Sequence, residues 1–267
     1  MSVAKEIREE QKQALKTMST KKKLEYFWEY YKIHAIAVIV AIIVVISTIH
    51  HYATSKDYAF YAILINAVSD DLSYETSETM NREFLEYAQF DPDEYEVYID
   101  TSVTLFDSVD AQYVLANQEK IVAMIQSGDV SAMAADTENF EKYAQADFFY
   151  SMESVMSEEE LAKYGPYLYY TDAATYADSD QPISSETANP AELVINHHDP
   201  STMEHPVAVG VILTKGNKIA DAGYYAYLED AQFSYQGYPS DVVLGIPLTN
   251  REPDLVIRFL EYIQLGD

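Results

Sequence analysis

Histidines and carboxylates that could bind a metal ion lie close together in one stretch of the C-terminal half. The run HHDPSTMEH contains His197, His198, Asp199, Glu204 and His205. Its spacing matches no standard zinc motif such as HExxH, in which two histidines share one helix face. Adjacent histidines would point in different directions on a helix or a strand. We therefore predict a polar loop here, with no metal site and no cofactor.

The sequence lacks the common signatures of catalysis. It contains no cysteine, which excludes a thiol nucleophile, a disulfide framework and a Cys-ligated metal. It contains no GxSxG elbow and no Gly-rich phosphate loop, and only eight glycines occur in the whole chain. A pair of acidic residues could still act as in a glycosidase, but nothing singles one out. We predict that the protein is not an enzyme.

Short polar residues lie at or just after the end of each of three strands predicted below. These strand-end residues are Asn66 and Ser69, then Thr101 and Ser102, then Asp136 and Asn139. Ligands of open α/β sheets bind beyond the carboxyl ends of the strands, so we predict that these side chains line a ligand site. Helix caps and turns use the same residue types, and that alternative stays open.

Tyrosine is abundant, with 24 in the chain and 21 of them after residue 49. Two clusters stand out, Tyr167 to Tyr170 and Tyr224 to Tyr227. Tyrosine rings can stack on sugars or peptides, and their hydroxyls can hydrogen-bond to them, so we add Tyr169 to the predicted ligand site. The alternative is that these rings fill the core and rim of an acidic domain.

The hydrophobic pattern predicts alternating strands and helices. Strands are predicted over 58–67, 95–101 and 130–135, and helices over 76–89, 110–126 and 137–144. After an irregular stretch, two more strands are predicted over 207–214 and 242–248, a short helix over 221–227, and a closing helix over 253–264. This order predicts an α/β fold with a mostly parallel or mixed sheet.

The irregular stretch suggests that the C-terminal part has two unequal lobes. We predict one domain over 56–267, with a main lobe of about 57–145 and 206–267 and a small lobe of about 146–205. The segment 172–190 is rich in Ser, Thr, Asp and Ala and is predicted to be a loop.

Residues 33–49 contain no charged side chain and are almost wholly aliphatic. With flanking aromatic residues they reach the ~30 Å of a bilayer's hydrocarbon core, so we predict a transmembrane helix over 33–52. Residues 1–32 form a short tail of formal charge +3, and residues 50–267 carry −30. The positive-inside bias predicts a single-pass protein of the cell membrane, with a cytoplasmic N-terminus and an extracytoplasmic domain.

The apolar helix and the charge of the chain predict which partners the protein binds. The bilayer is the predicted partner of residues 33–52. A charge of −30 on the larger part excludes nucleic acid, because phosphates would be repelled. A cleaved signal peptide is the alternative to a retained signal anchor. An apolar core of this length, preceded by 32 residues, favours the anchor.

The C-terminal part resembles the type 2 periplasmic-binding fold of extracytoplasmic solute-binding proteins. The resemblance covers 57–267 and is carried by residues 121–136, by 139–152 with 164–170, and by 244–263. It implies a ligand held between two closing lobes. The aromatic entry to the apolar helix, FWEYYKIH, is similar to that of single-pass proteins of Gram-positive anaerobes. Members of the binding-protein family are commonly longer, and they are lipid-anchored or soluble.

Two functions are therefore predicted. The first is a membrane-anchored, non-catalytic module that binds a small molecule or a peptide outside the cytoplasm. The alternative is a ligand-free structural or docking domain that presents its acidic surface to a partner protein of the cell envelope. A water-filled cleft lined by the strand-end residues would favour the first, and a filled, solid junction between the lobes would favour the second.

Overall fold

The computed structural model describes residues 18–54, 56–67, 74–106, 109–173, 196–229, 234–235 and 238–264. The chain divides into two compact units, Met1–Ser55 and Lys56–Asp267.

The first unit is organised by one long helix, α1 (Thr20–Thr54), of 35 residues. Its segment Tyr31–His50 is long and apolar enough to cross a membrane, and none of that segment is buried. The segment has aliphatic side chains on every face, whereas a helix that packs on a soluble core has one apolar face and one polar face. Residues 33–52 are helical as predicted, and the helix begins earlier, at Thr20.

The second unit contains a six-stranded mixed sheet with the order β2-β1-β3-β8-β5-β4. Its strands are β1 (Asp57–Leu64), β2 (Tyr95–Asp100), β3 (Ala132–Asp136), β4 (Leu168–Asp172), β5 (Pro206–Ile212) and β8 (Val242–Gly245). Between β5 and β8, two short strands, β6 (Ser234–Tyr235) and β7 (Tyr238–Pro239), pair with each other. The predicted α/β class and mixed sheet are confirmed.

The helices of this unit connect and cover the strands. They are α2 (Tyr74–Tyr87), α3 (Ala111–Ser127), α4 (Thr137–Ala144), α5 (Met152–Val155), α6 (Glu158–Tyr164), α7 (Lys218–Asp221) and α8 (Pro253–Gln264). The helix predicted over 221–227 is displaced. It begins earlier because Asn217 caps it, and Gly223 interrupts it with a φ of +83°.

The sheet has a core on each face. β1 pairs in parallel with β2 on one side and with β3 on the other. Alternate side chains of β1 enter different clusters, so Phe60 packs beside α2 and α8, whereas Ile63 packs beside α3 and α4. The chain therefore turns to opposite sides of β1 after its first and second strands, with one crossover helix on each face.

Local sequence explains where the helices begin and end. Asp110 precedes α3, and its carboxylate accepts hydrogen bonds from two backbone N–H groups of the first turn. Gly128 ends α3 with a φ of +80°, a conformation that glycine adopts without steric penalty. Ser157 and Glu160 form a reciprocal capping box at the start of α6.

β4 is a strand of the main sheet that the sequence pattern missed. Residues 168–172 fall in the stretch predicted to be irregular, but they form an edge strand antiparallel to β5. They lie within the predicted small lobe, so that lobe contributes a strand to the same sheet as the main lobe. The predicted division into two lobes stays a prediction, because residues 174–195 lie outside the described part.

Polar groups cover the backbone at both edges of the sheet. At the β2 edge, the Asn81 side chain accepts a hydrogen bond from the backbone N–H of Ile99 at 2.9 Å. At the β4 edge, the backbone N–H of Tyr170 donates to the His197 carbonyl at 2.9 Å. Such contacts occupy backbone groups that could otherwise pair with another chain.

Two stacked aromatic rings require a glycine in β8. The rings of Phe140 and Phe149 are parallel within 3°, with centroids 4.5 Å apart, and they lie against Gly245. A Cβ atom at Gly245 would lie 2.7 Å from Phe149 and 2.8 Å from Phe140. We expect Gly245→Ala to lower the free energy of unfolding by about 1–3 kcal/mol, since both rings are buried and cannot move aside. Urea unfolding of the full chain in detergent measures this.

The matched control for this prediction is Gly165→Ala, because a Cβ atom at Gly165 would meet no other atom within 4 Å. We expect Gly165→Ala to leave the unfolding midpoint unchanged or slightly higher. Equal midpoints for the two variants would contradict the packing argument.

Candidate functional site

The strand-end residues meet at the point where the strand order reverses. β1 and β3 are parallel neighbours, so their carboxyl ends share one edge of the sheet. Because the chain leaves these two strands toward opposite faces, a crevice is expected beyond their ends. Asn66, two residues after β1, and Asp136, the last residue of β3, lie there, with the Asn66 Nδ2 atom 3.0 Å from an Asp136 carboxylate oxygen.

Asp136 is the centre of a buried network. It caps α4 by accepting a hydrogen bond from the backbone N–H of Asn139 at 3.1 Å. The Asn139 side-chain amide donates to both Asp136 oxygens, at 3.0 and 2.9 Å. Asn66 completes the network, because its Oδ1 atom accepts from the backbone N–H of Leu105 at 2.7 Å. All three side chains are at least 93% buried.

The backbone of Asn66 is adapted to this role. Its φ is +59°, in the left-handed region that asparagine tolerates better than most residues. This conformation turns the chain after β1 and directs the amide toward Asp136 and Leu105. The network therefore ties the ends of β1 and β3 and the segment after β2 together.

Two tyrosines from the 224–227 cluster lie near Asp136. The Tyr225 hydroxyl donates to the carbonyl of Ala134 at 3.3 Å. Burial raises the pKa of Tyr227, and the negative charge of Asp136 raises it further. The pKa of Tyr225 is raised by burial, by Tyr227 and by Asp136. Both phenols therefore stay protonated at neutral pH next to the carboxylate.

The two predicted residues after β2 lie in different surroundings. Ser102 donates from its hydroxyl and its backbone N–H to the buried Asp100 carboxylate, at 2.6 and 2.9 Å. Burial raises the pKa of Asp100, but the hydrogen bonds from Ser102 and the charge of Lys120 outweigh it and lower the pKa below its usual value. Thr101 lies beside Tyr224. Burial raises the pKa of Tyr224, and a hydrogen bond with the Thr101 side chain offsets part of that rise.

Tyr169 belongs to a separate buried cluster at the β4 edge. Its hydroxyl donates to Glu141 of α4 at 2.9 Å, and the Thr171 hydroxyl donates to the other Glu141 oxygen at 2.8 Å. The His197 ring stacks on the Tyr169 ring with centroids 4.5 Å apart. His197 Nδ1 lies 2.7 Å from the Tyr170 carbonyl oxygen and therefore carries the proton, since a carbonyl can only accept.

The histidine-rich stretch does not converge on one point. His197 is buried against Tyr169, whereas His198 is exposed and pairs with Asp241 at 2.7 Å. Asp199 caps a short 3₁₀ helix at Pro200–Thr202. Within the described ranges, no group of three or more His, Asp or Glu side chains is arranged to hold a metal ion.

The structure thus brings together three of the seven predicted residues, Asn66, Asp136 and Asn139. Thr101, Ser102 and Tyr169 lie in other polar clusters, and Ser69 lies outside the described residues. The sequence analysis did not predict a role for Glu141. Nothing in its sequence context indicates burial, because glutamates in short helices are usually exposed.

No protein-family model matches this chain, and no curated protein matches it significantly.

Proposed function

We propose that this chain is a membrane-anchored, non-catalytic docking module, whose acidic α/β domain binds a basic partner protein at the outer face of the cell membrane. The observation that carries this proposal is the closed network of Asn66, Asp136 and Asn139. These side chains lie where an α/β sheet would bind a ligand, and they hydrogen-bond to one another. A docking domain needs no open crevice there.

The apolar helix and the charge distribution support the anchor and its orientation. The 20 residues of Tyr31–His50 match the length of a bilayer's hydrocarbon core. The tail before them is basic, and the domain after them carries most of the chain's 44 acidic residues. Basic residues are retained on the cytoplasmic side, so the acidic domain is placed outside.

Charge also supports a protein partner with a basic surface. Opposite charges steer association and select against acidic partners. The same charge disfavours nucleic acid and anionic lipid as partners.

A ligand-binding module of the solute-binding type is the second candidate. One observation favours it, namely that Asn66 and Asp136 meet where the strand order reverses, the usual ligand position in doubly wound sheets. In that case a ligand would have to replace the hydrogen bonds between them, and closure of two lobes would require tighter binding to the closed form.

A thermal-shift screen of the full chain in neutral detergent separates the two candidates. The library contains sugars, amino acids, peptides and divalent cations. For a docking module, we expect no small molecule to raise the melting temperature. A ligand that binds only the native state at a hundred times its Kd would stabilise it by about 2.7 kcal/mol. Such a shift, if Asn66→Ser abolished it, would overturn docking in favour of ligand binding.

Crosslinking in intact cells provides the positive test. A photoreactive residue is placed at Glu94, which is exposed on the domain, and at Glu25, which precedes the apolar segment. We expect the Glu94 position to crosslink to a basic envelope protein in a salt-sensitive manner and the Glu25 position not to. No crosslink from several exposed acidic positions would contradict the docking function.

A further inference from the structure

A groove on the surface of α2 and α8 has a composition suited to a positively charged group. It encloses about 380 Å³ and is lined by Glu83, Glu86, Tyr87, Lys218 and Tyr262. None of these residues belongs to the strand-end network or to the Glu141 cluster. The groove thus joins carboxylates and aromatic rings, the two kinds of group that bind ammonium and guanidinium ions.

Helix geometry positions its lining. Glu83, Glu86 and Tyr87 are three and four residues apart on α2 and share one face. Tyr262 of α8 packs beside Tyr87 with ring centroids 5.6 Å apart, and its hydroxyl donates to Glu83 at 2.9 Å. Because Tyr262 is only 4% exposed, its ring is held in place by packing.

The groove already holds one ammonium group of this chain. The Lys218 Nζ atom lies 5.1 Å from the centre of the Tyr262 ring and 3.7 Å from a Glu83 oxygen. The Lys218 backbone is anchored next to Asn217, which is buried and caps α7 through the N–H groups of Ile219 and Ala220. This contact of Lys218 indicates that the groove accepts a positively charged group. The Lys218 side chain is still 38% exposed.

Part of the groove remains available. Glu86 forms no ion pair or side-chain hydrogen bond within the described part of the chain. The neighbouring Tyr87 is 36% exposed. Arg258 donates to the Tyr87 carbonyl at the end of α2. One exposed carboxylate and one accessible ring are therefore free to receive a second cation.

We propose that this groove is the docking point for a lysine or arginine side chain in a basic segment of the partner protein. The inference rests on the docking function proposed above and adds the site and the chemistry of recognition. The partner's cation would contact Glu86 and the Tyr87 ring and would compete with Lys218 for Glu83 and Tyr262. Charge complementarity selects this occupant, since the chain carries a formal charge of −27.

The test measures the affinity of the full chain, in neutral detergent, for a short oligolysine peptide. We expect Glu86→Gln to weaken binding about tenfold, equivalent to about 1.4 kcal/mol. The matched control is Glu138→Gln, which removes the same charge from an exposed residue of α4. We expect Lys218→Met to tighten binding several-fold, because it empties the groove. Lys142→Met is its control, since Lys142 pairs with Glu138 outside the groove.

Several results would overturn the groove as the docking point. These results are that oligolysine does not bind, that Glu86→Gln and Glu138→Gln weaken binding equally, or that Lys218→Met tightens binding no more than Lys142→Met does. Equal weakening would leave the docking function standing, with attraction spread over the whole acidic surface. Failure of the crosslinking test would remove the docking function, and with it the groove as a docking point, even if an oligolysine affinity had been measured. The two failures are therefore distinguishable.

Discussion

Asp136→Ala is expected to lower the free energy of unfolding by about 3–7 kcal/mol. Loss of the α4 cap contributes about 1 kcal/mol. The substitution also leaves the buried side-chain amides of Asn66 and Asn139 without their acceptor, and each unsatisfied buried group costs about 1–3 kcal/mol. Since domains are stable by only about 5–15 kcal/mol, the variant should be close to unfolding at room temperature. Urea unfolding of the full chain, followed by circular dichroism, measures the change.

Asp110→Ala is the matched control for Asp136→Ala. Asp110 also caps a helix, α3, but it is exposed and its carboxylate accepts only from backbone N–H groups. We expect a loss of about 1 kcal/mol from the cap alone. The difference between the two variants therefore measures the buried network.

The sign of the Asp136 effect also bears on function. Residues held ready for a ligand often reduce stability, and replacing them can stabilise a protein. A rise in stability for Asp136→Ala would contradict the structural role of the network and favour the ligand-binding candidate. A large fall is what a docking domain with closed strand ends requires.

Glu141→Ala is the second substitution with a large expected effect, a loss of about 2–5 kcal/mol. The carboxylate is 1% exposed and accepts hydrogen bonds from the hydroxyls of Tyr169 and Thr171. Alanine would leave both hydroxyls without this acceptor and would open a cavity beside the stacked Tyr169 and His197 rings. The same unfolding measurement applies.

Two further substitutions in α4 set limits for this prediction. Glu141→Gln keeps one carbonyl oxygen as an acceptor, so we expect a smaller loss than for alanine. Glu138→Ala alters an exposed residue that pairs only with Lys142, and we expect a change within about 0.5 kcal/mol. A loss for Glu141→Ala no larger than for Glu138→Ala would show that the cluster does not stabilise the β4 edge.

Several elements were predictable because their signals are local. The start of α4 at Asp136, the end of α3 at Gly128 and the capping box at Ser157 depend on residues only a few positions apart. The long apolar helix is equally local, since its composition alone shows that no face is polar. The alternation of strands and helices identified the α/β class for the same reason.

The predicted site was partly recovered for a topological reason. Parallel strands bring their carboxyl ends to one edge, so Asn66 and Asp136 could be placed together without knowledge of distances. Their mutual hydrogen bonds could not be foreseen. A polar residue at a strand end can serve a ligand or a neighbour, and only burial and geometry distinguish the two.

The sequence by itself determined the apolar helix, the charge contrast on its two sides, the α/β class and most helix boundaries. Each depends on composition or on contacts between near neighbours in the chain. The tertiary structure alone decided that residues 168–172 form the β4 edge, that Glu141 is buried with Tyr169, and that Lys218 reaches Glu83 and Tyr262. These features join segments far apart in sequence, and the free energy that selects them comes from packing and desolvation after the sheet has formed.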